Sequence, residues 1–382
     1  MTLLELVKKY GINQARLAEF LDISAPSLSL LLKGGFTLKR KPDAMENLIA
    51  ALVARGIPET EIKAVMANGS VTQQTYNQEE ETLMITKRQS FNQQSRQAFG
   101  ILRDPFDDPQ RPEHVYLTPQ FRYAREALRD AAVNGNFMAL VGESGAGKTT
   151  LRSEMLEYLK AHHPDVVVIE PYVLTMSLKN DGSGKPLTTG HIMDAILHRL
   201  APGSRAGGST EAKAQRVHAA LTLSAESGNR HVLIIEEAHD LHPQTLKALK
   251  RFWELKSGMV RLLSIILIGQ NELAGRLSSD RIDVREVVQR CDVVTLPPLS
   301  DIGEFIRHRF ASAGLDADKV FTQDAFDELR QRLIVGQDRQ GKGVDKAYPL
   351  AVSNLATACI NFAAQNGLRQ IDADVVRTTR VA

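Results

Sequence analysis

Phe137-Met138-Ala139-Leu140-Val141-Gly142-Glu143-Ser144-Gly145-Ala146-Gly147-Lys148-Thr149-Thr150 is the stretch on which the fold turns. Five consecutive apolar residues read as a strand buried on both faces, and the glycine-rich residues after them end it. Gly142 to Thr149 fits the pattern G-x-x-x-x-G-K-[ST], and the amphipathic segment 150–159 predicts a helix directly behind it. In a strand, loop and helix of this kind, glycines let main-chain N–H groups converge on phosphates, and the positive helix end favours the anion. Gly142, Glu143, Ser144, Gly145, Ala146, Gly147, Lys148, Thr149 and Thr150 are therefore expected to hold ATP. Lys148 is expected to reach the terminal phosphates, and the Thr149 hydroxyl to bind magnesium.

Working outward, apolar β-branched runs at 165–173, 231–238, 261–269 and 291–296 alternate with helical stretches. The alternation predicts an α/β fold, a parallel sheet covered on both faces. A helix is expected over 119–134, before the first strand. After Pro297-Pro298 the pattern turns purely helical, with helices expected over 301–313, 323–333 and 349–366. Upstream, Leu17, Phe20, Leu21, Leu28, Leu31 and Leu32 fall at helical spacing, whereas 69–97 is polar and poor in core-forming residues. These shifts predict a helical domain over 1–68, a linker over 69–98, an α/β domain over 99–298 and a helical subdomain over 299–382.

His231-Val232-Leu233-Ile234-Ile235-Glu236-Glu237 delivers two carboxylates to a strand end, and resembles the second nucleotide motif of P-loop ATPases. That resemblance assigns Glu236 to the metal and Glu237 to the water that attacks the terminal phosphate. The usual residue at the first position is aspartate, so the longer Glu236 implies a shifted metal and slow turnover. Gln270 and Asn271 end the strand where such ATPases place a group that senses the terminal phosphate. Arg290, with Arg285 in reserve, is the candidate for an arginine finger serving a neighbouring subunit; a solvated helix face is the alternative for each.

Together with Asp104-Pro105-Phe106, the segment 267–273 and the segment 299–314, these residues resemble the AAA+ ATPases of DNA transposition, the group of phage Mu transposition protein B. The shared stretches also resemble ExeA-type secretion ATPases. The resemblance implies a P-loop AAA+ domain with a C-terminal helical lid. It also implies ATP-dependent assembly on duplex DNA as a helical polymer or ring, delivery of that DNA to a partner transposase, and disassembly on hydrolysis. Many AAA+ proteins carry an arginine at the start of a lid helix; Ala347-Tyr348-Pro349-Leu350 has none.

Residues 13–33 read as helix, tight turn, helix, and resemble the helix-turn-helix of phage repressors. Ser27, Ser29 and Lys33 would then face a DNA groove, and Lys39, Arg40 and Lys41 would meet phosphates. A protein-docking helical module is the alternative. Lys179 and Lys185, in the polar segment 179–186, are candidate DNA contacts within the ATPase domain, or else part of a solvated loop.

The bulk numbers are compatible with this reading. The chain has 382 residues, room for two or three domains, with 43% hydrophobic and 24% charged residues and a net charge of +2. So balanced a charge neither requires nor excludes nucleic acid. No apolar run approaches the length of a membrane span, which predicts no membrane insertion. Two cysteines leave no disulfide framework, and the N-terminus lacks a secretory pattern, so the cytoplasm is the expected compartment. A secretion ATPase and a nucleotide-gated transcription regulator are the competing readings.

Overall fold

The computed structural model describes residues 3–21, 28, 32, 44–58, 60–62, 65, 88–171, 187–203, 209–278, 285–335 and 344–379. The chain divides into two compact units, one built mainly from 1–87 and a larger one from 88–333 and 345–380.

In the smaller unit the described helices are Leu3–Lys9, Gln14–Phe20 and Ala44–Val53. Leu6, Leu17, Leu28, Leu32, Leu48 and Leu52 are fully buried in one apolar cluster. Phe20, expected in that core, is instead 66% exposed, with the Arg55 guanidinium 4.7 Å from its ring centroid. Its neighbour Leu17, one helical turn back, takes the inward place. Ser27, Ser29, Lys33, Lys39, Arg40 and Lys41 lie outside the described residues, as do 69–87 of the expected linker.

The larger unit is built on a five-stranded sheet in the order β2-β3-β6-β1-β7. Its strands are β1 (Phe137–Val141), β2 (Val166–Ile169), β3 (Arg230–Ile235), β6 (Ser264–Gly269) and β7 (Asp292–Thr295), all paired in parallel. A short antiparallel hairpin of β4 (Lys256–Ser257) and β5 (Val260–Arg261) precedes β6. The apolar run expected from 261 is thus interrupted, because Arg261 turns its guanidinium onto the Trp253 ring, 3.4 Å from the centroid.

Alternation sorts the strand side chains onto two faces. Phe137, Ala139, Val141, Leu233, Ile235, Ile265 and Leu267 pack under helices Thr189–Leu200, Thr210–Glu226 and Pro243–Trp253. Met138, Leu140, Val232, Ile234, Ile266 and Ile268 pack under helices Pro119–Asn134 and Lys148–His162. Each fully buried leucine or isoleucine contributes about 1.5–3 kcal/mol, which makes the sheet the rigid base of the unit. Edge strand β7 departs from the buried pattern, with only Val294 enclosed.

Helix Pro119–Asn134 shows why the boundaries were readable: Thr118 accepts from Phe121 N, Pro119 fills the first turn, and Gly135 closes the helix at φ 74°. The lid helices are Ile302–Ser312, Gln323–Arg332, Pro349–Gln365 and Ala373–Thr378.

Residues 88–98, expected as linker, pack on the lid instead. Asn361 Oδ1 accepts from Asn92 N at 3.1 Å and from Ser95 Oγ at 2.6 Å, and Asn361 Nδ2 donates to Ser90 O at 2.9 Å. Asn92 caps the short helix Gln93–Phe99 in turn. Polar composition marked the segment as a linker because, apart from the buried Phe91, its binding is made by side-chain amides and main chain. Among the described residues no helix is long and apolar enough to cross a membrane.

Candidate active site

β1 delivers the chain into the glycine loop at the C-terminal edge of the sheet. Gly145 and Gly147 take φ of 74° and 97°, backbone that L side chains rarely adopt. Gly145 is also pressed from the lid: a Cβ there would come within 2.4 Å of the Leu350 Cβ, and Leu350 N donates to Gly145 O at 3.2 Å. The loop and the start of helix Pro349–Gln365 are therefore in contact.

Lys148 opens helix Lys148–His162, and its Nζ donates to the carbonyls of Gly142 and Glu143 at 2.7 and 2.8 Å. Burial pulls the Lys148 ammonium below the usual lysine range, opposed by the nearby carboxylates of Glu237, Glu143 and Glu272. A cation short of solvent, held only by carbonyls, is set to exchange those partners for phosphate oxygens.

Glu236 and Glu237 follow β3 but part company. Glu236 Oε1 lies 3.1 Å from Arg152 Nε on the P-loop helix. Glu237 has a 60% exposed side chain and φ of 48°, the one positive φ among the described non-glycine residues. A left-handed glutamate costs on the order of 1–3 kcal/mol, and such strain gathers at functional sites. The turn is fixed from behind by Arg276, which donates to the carbonyls of His239 and Leu241. His239 Nδ1 lies 3.5 Å from Glu237 Oε2 and accepts from Gln270 N at 3.4 Å.

Asn271 Nδ2 donates to Glu143 Oε1 at 2.8 Å, so its side chain reaches the phosphate loop, whereas Gln270 joins the site through its main chain. Arg290 is held within its own chain: Nη1 donates to Glu286 O at 3.3 Å and Nη2 lies 3.5 Å from Glu254. Arg285 opens the helix Arg285–Val288, and its side chain lies outside the description, as do Lys179 and Lys185.

Between the loop and the lid lies a cavity of about 260 Å³, lined by Phe106, Tyr116, Phe121, Leu350, Asn354 and the Gly145–Leu151 segment, among others. Phe106 stacks on Phe91 at 6.3 Å and meets Phe310 edge-on at 5.9 Å. Asp104 accepts from Phe106 N at 2.8 Å, and burial raises its carboxyl above the usual range. Arg309 ties the lid to this segment, donating to Pro105 O at 2.8 Å and His114 O at 3.1 Å. Lys346, just before the helix, lies 3.6 Å from Glu143.

The donor set suits magnesium: a hydroxyl (Thr149) and a carboxylate (Glu236) are hard oxygen ligands, placed on adjoining elements. Among the described residues no three His, Cys, Asp or Glu side chains form a closed cage.

Residues 131–277 match the family model described as AAA domain. The fold is an AAA+ P-loop α/β fold. A curated relative, General secretion pathway protein A of Aeromonas hydrophila, is 28% identical over 241 residues, which is 62% of this chain and 41% of the relative. The chain thus spans about two fifths of that relative's length. The Aeropyrum pernix ORC2 protein, solved as ADPNP and ADP complexes, is 17% identical, with a TM-score of 0.45 over 72% of this chain and 70% of that one. Cdc6p from Pyrobaculum aerophilum is 16% identical, with a TM-score of 0.46 over 72% and 68%.

Sequence reasoning missed the AAA+ cavity wall (Tyr116, Phe121, Asn354), the Arg276 brace and the His239 link. Only Asp104-Pro105-Phe106 had been noted, as a family-like lead-in without a role. The rest come together from separate segments, with no local motif to mark them.

Proposed function

We propose that this chain binds ATP, hydrolyses it slowly, and in the ATP state assembles as a helical polymer or ring on duplex DNA, presenting that DNA to a partner transposase. The observation that carries the enzymatic half is the Lys148 ammonium held on the Gly142 and Glu143 carbonyls of the glycine loop, a cation for the terminal phosphates, with Glu237 at the end of β3 as the carboxylate for the lytic water. Magnesium, bound by Thr149 and Glu236 with the phosphates, would neutralise charge on the transferred group. The apolar and aromatic cavity suits an adenine ring, with the buried Asn354 offering polar contacts at its wall.

Asn271 is the residue of choice for sensing the terminal phosphate, since it already touches the loop. Arg290 retains the role of a finger in trans, released from Glu254 when a neighbour docks. The DNA half rests on the resemblance of residues 13–33 to a helix-turn-helix and on the basic residues Lys39, Arg40 and Lys41. Hydrolysis, stimulated by the partner, dissolves the assembly.

Electron microscopy and footprinting of the chain with duplex DNA test this. Extended protection with weak sequence preference, requiring ATP and magnesium and falling steeply with salt, is the expected result. Binding indifferent to nucleotide would reject it, and protection of one short two-fold site would indicate a regulator. The second reading, a secretion ATPase, is favoured by the relative from Aeromonas hydrophila. It predicts no nucleotide-dependent DNA assembly at all.

A further inference from the structure

Arg152 stands between two acids whose pairing the nucleotide site does not require. It lies one turn beyond Lys148 and three residues past Thr149 on helix Lys148–His162, so it shares their side of the helix. Its Nε is 3.1 Å from Oε1 of Glu236, and its Nη2 pairs with Glu170 at the end of β2. Because β2 and β3 are neighbours, the two acids leave the sheet side by side and one guanidinium spans both.

The Arg152 side chain is 20% exposed and Glu236 35%, so water screens the pair only in part. The buried Nε makes no aligned hydrogen bond, which leaves its hold on Glu236 one of charge. That hold depends on length, since the extra methylene of glutamate carries the carboxylate out toward Arg152. A guanidinium is permanently charged. A divalent cation resting on Thr149 and Glu236 would therefore have a fixed positive group beside it, competing for the same carboxylate.

We propose that Arg152 is a positioning residue that holds the Glu236 carboxylate and opposes magnesium beside Thr149, so that ATP gains little affinity from the metal. Glu170, already paired with Arg152, keeps that partner when Glu236 turns to the cation. The inference rests on the nucleotide-site reading above.

The test is calorimetric titration of the full chain with ATP, once with excess magnesium and once with chelator. The ratio of the two affinities is the readout. Arg152→Met keeps the aliphatic stem and removes the charge. It is expected to raise the gain from magnesium about tenfold, with metal-free affinity within about twofold of the original. Arg152→Lys keeps the charge and is expected to keep the original ratio.

An unmoved or smaller ratio in R152M, while ATP still binds, overturns this inference alone. Loss of metal-free binding in R152M with binding retained in R152K also overturns it, because Arg152 would then be a phosphate ligand. An R152K ratio as high as that of R152M removes charge as the cause and overturns it too. Failure of the unaltered chain to bind ATP in either condition defeats the nucleotide-site reading itself.

Discussion

The two ends of the proposed nucleotide site are built in opposite ways. The phosphate end is nine contiguous residues, 142–150, whose glycines and lysine act largely through their own backbone and reach. The base end is a cavity assembled from segments near 89, 106, 116 and 121 and from the lid near 350–354. One is a local structure that the sheet presents; the other takes part of its wall from the lid. Damage to the first should remove binding, whereas damage to the second should trade away affinity and lid stability together.

The largest effect is expected at the phosphate end. Lys148→Ala removes the half-buried cation and should weaken ATP binding by on the order of a hundredfold, read by calorimetry, with thermal stability nearly unchanged. Glu237→Gln should bind ATP normally yet slow hydrolysis by on the order of a hundredfold, as phosphate release would show. Normal turnover in that variant would move the lytic role to another group.

Gly145→Ala probes the seam between the two ends. The new Cβ meets Leu350 and must take a left-handed φ, so a loss of about 1–3 kcal/mol is expected in denaturant unfolding. Leu350→Ala in the same chain keeps the Cβ that the new methyl meets, so it should restore little of the loss. At the base end, Asn354→Ala leaves Gln89 N, now 3.0 Å from Asn354 Oδ1, without that acceptor. About 1–2 kcal/mol of stability should be lost, with a severalfold weaker ATP affinity.

The smallest effect serves as a control away from both ends. His231, at the opposite end of β3, sits with Nδ1 2.8 Å from Leu262 O and Nε2 2.8 Å from Ser224 Oγ. Burial lowers its pKa below the ordinary histidine value. The unfolded chain therefore takes up a proton first, and stability should decline as pH falls through about 6.5 toward the folded value. His231→Gln should flatten that decline in pH-dependent unfolding without altering ATP affinity.

The same contrast explains what could be read in advance. The parallel sheet, the 119–134 helix and the loop were legible because each is announced by neighbours in the chain: an apolar run, a Thr-Pro start, a Gly stop. Glu236 and Glu237 were visible as a pair but not as a divided pair, since the divergence comes from Arg152 on a different element and from a left-handed turn. The segment 88–98 was misread for the same reason. Its partners, Asn354 and Asn361, lie more than 260 residues away and carry no apolar signal. Phe20 shows the reverse limit: its spacing suited the core, but one turn of helix offers more apolar residues than the core accepts.

The stitching of residues 89–95 to Asn354 and Asn361 places two fastenings two turns apart on a single lid helix. That stretch is thereby moored to the helical part of the larger unit rather than to its sheet. Shortening either asparagine to alanine would therefore free one end of the 88–98 segment while the other stays tied.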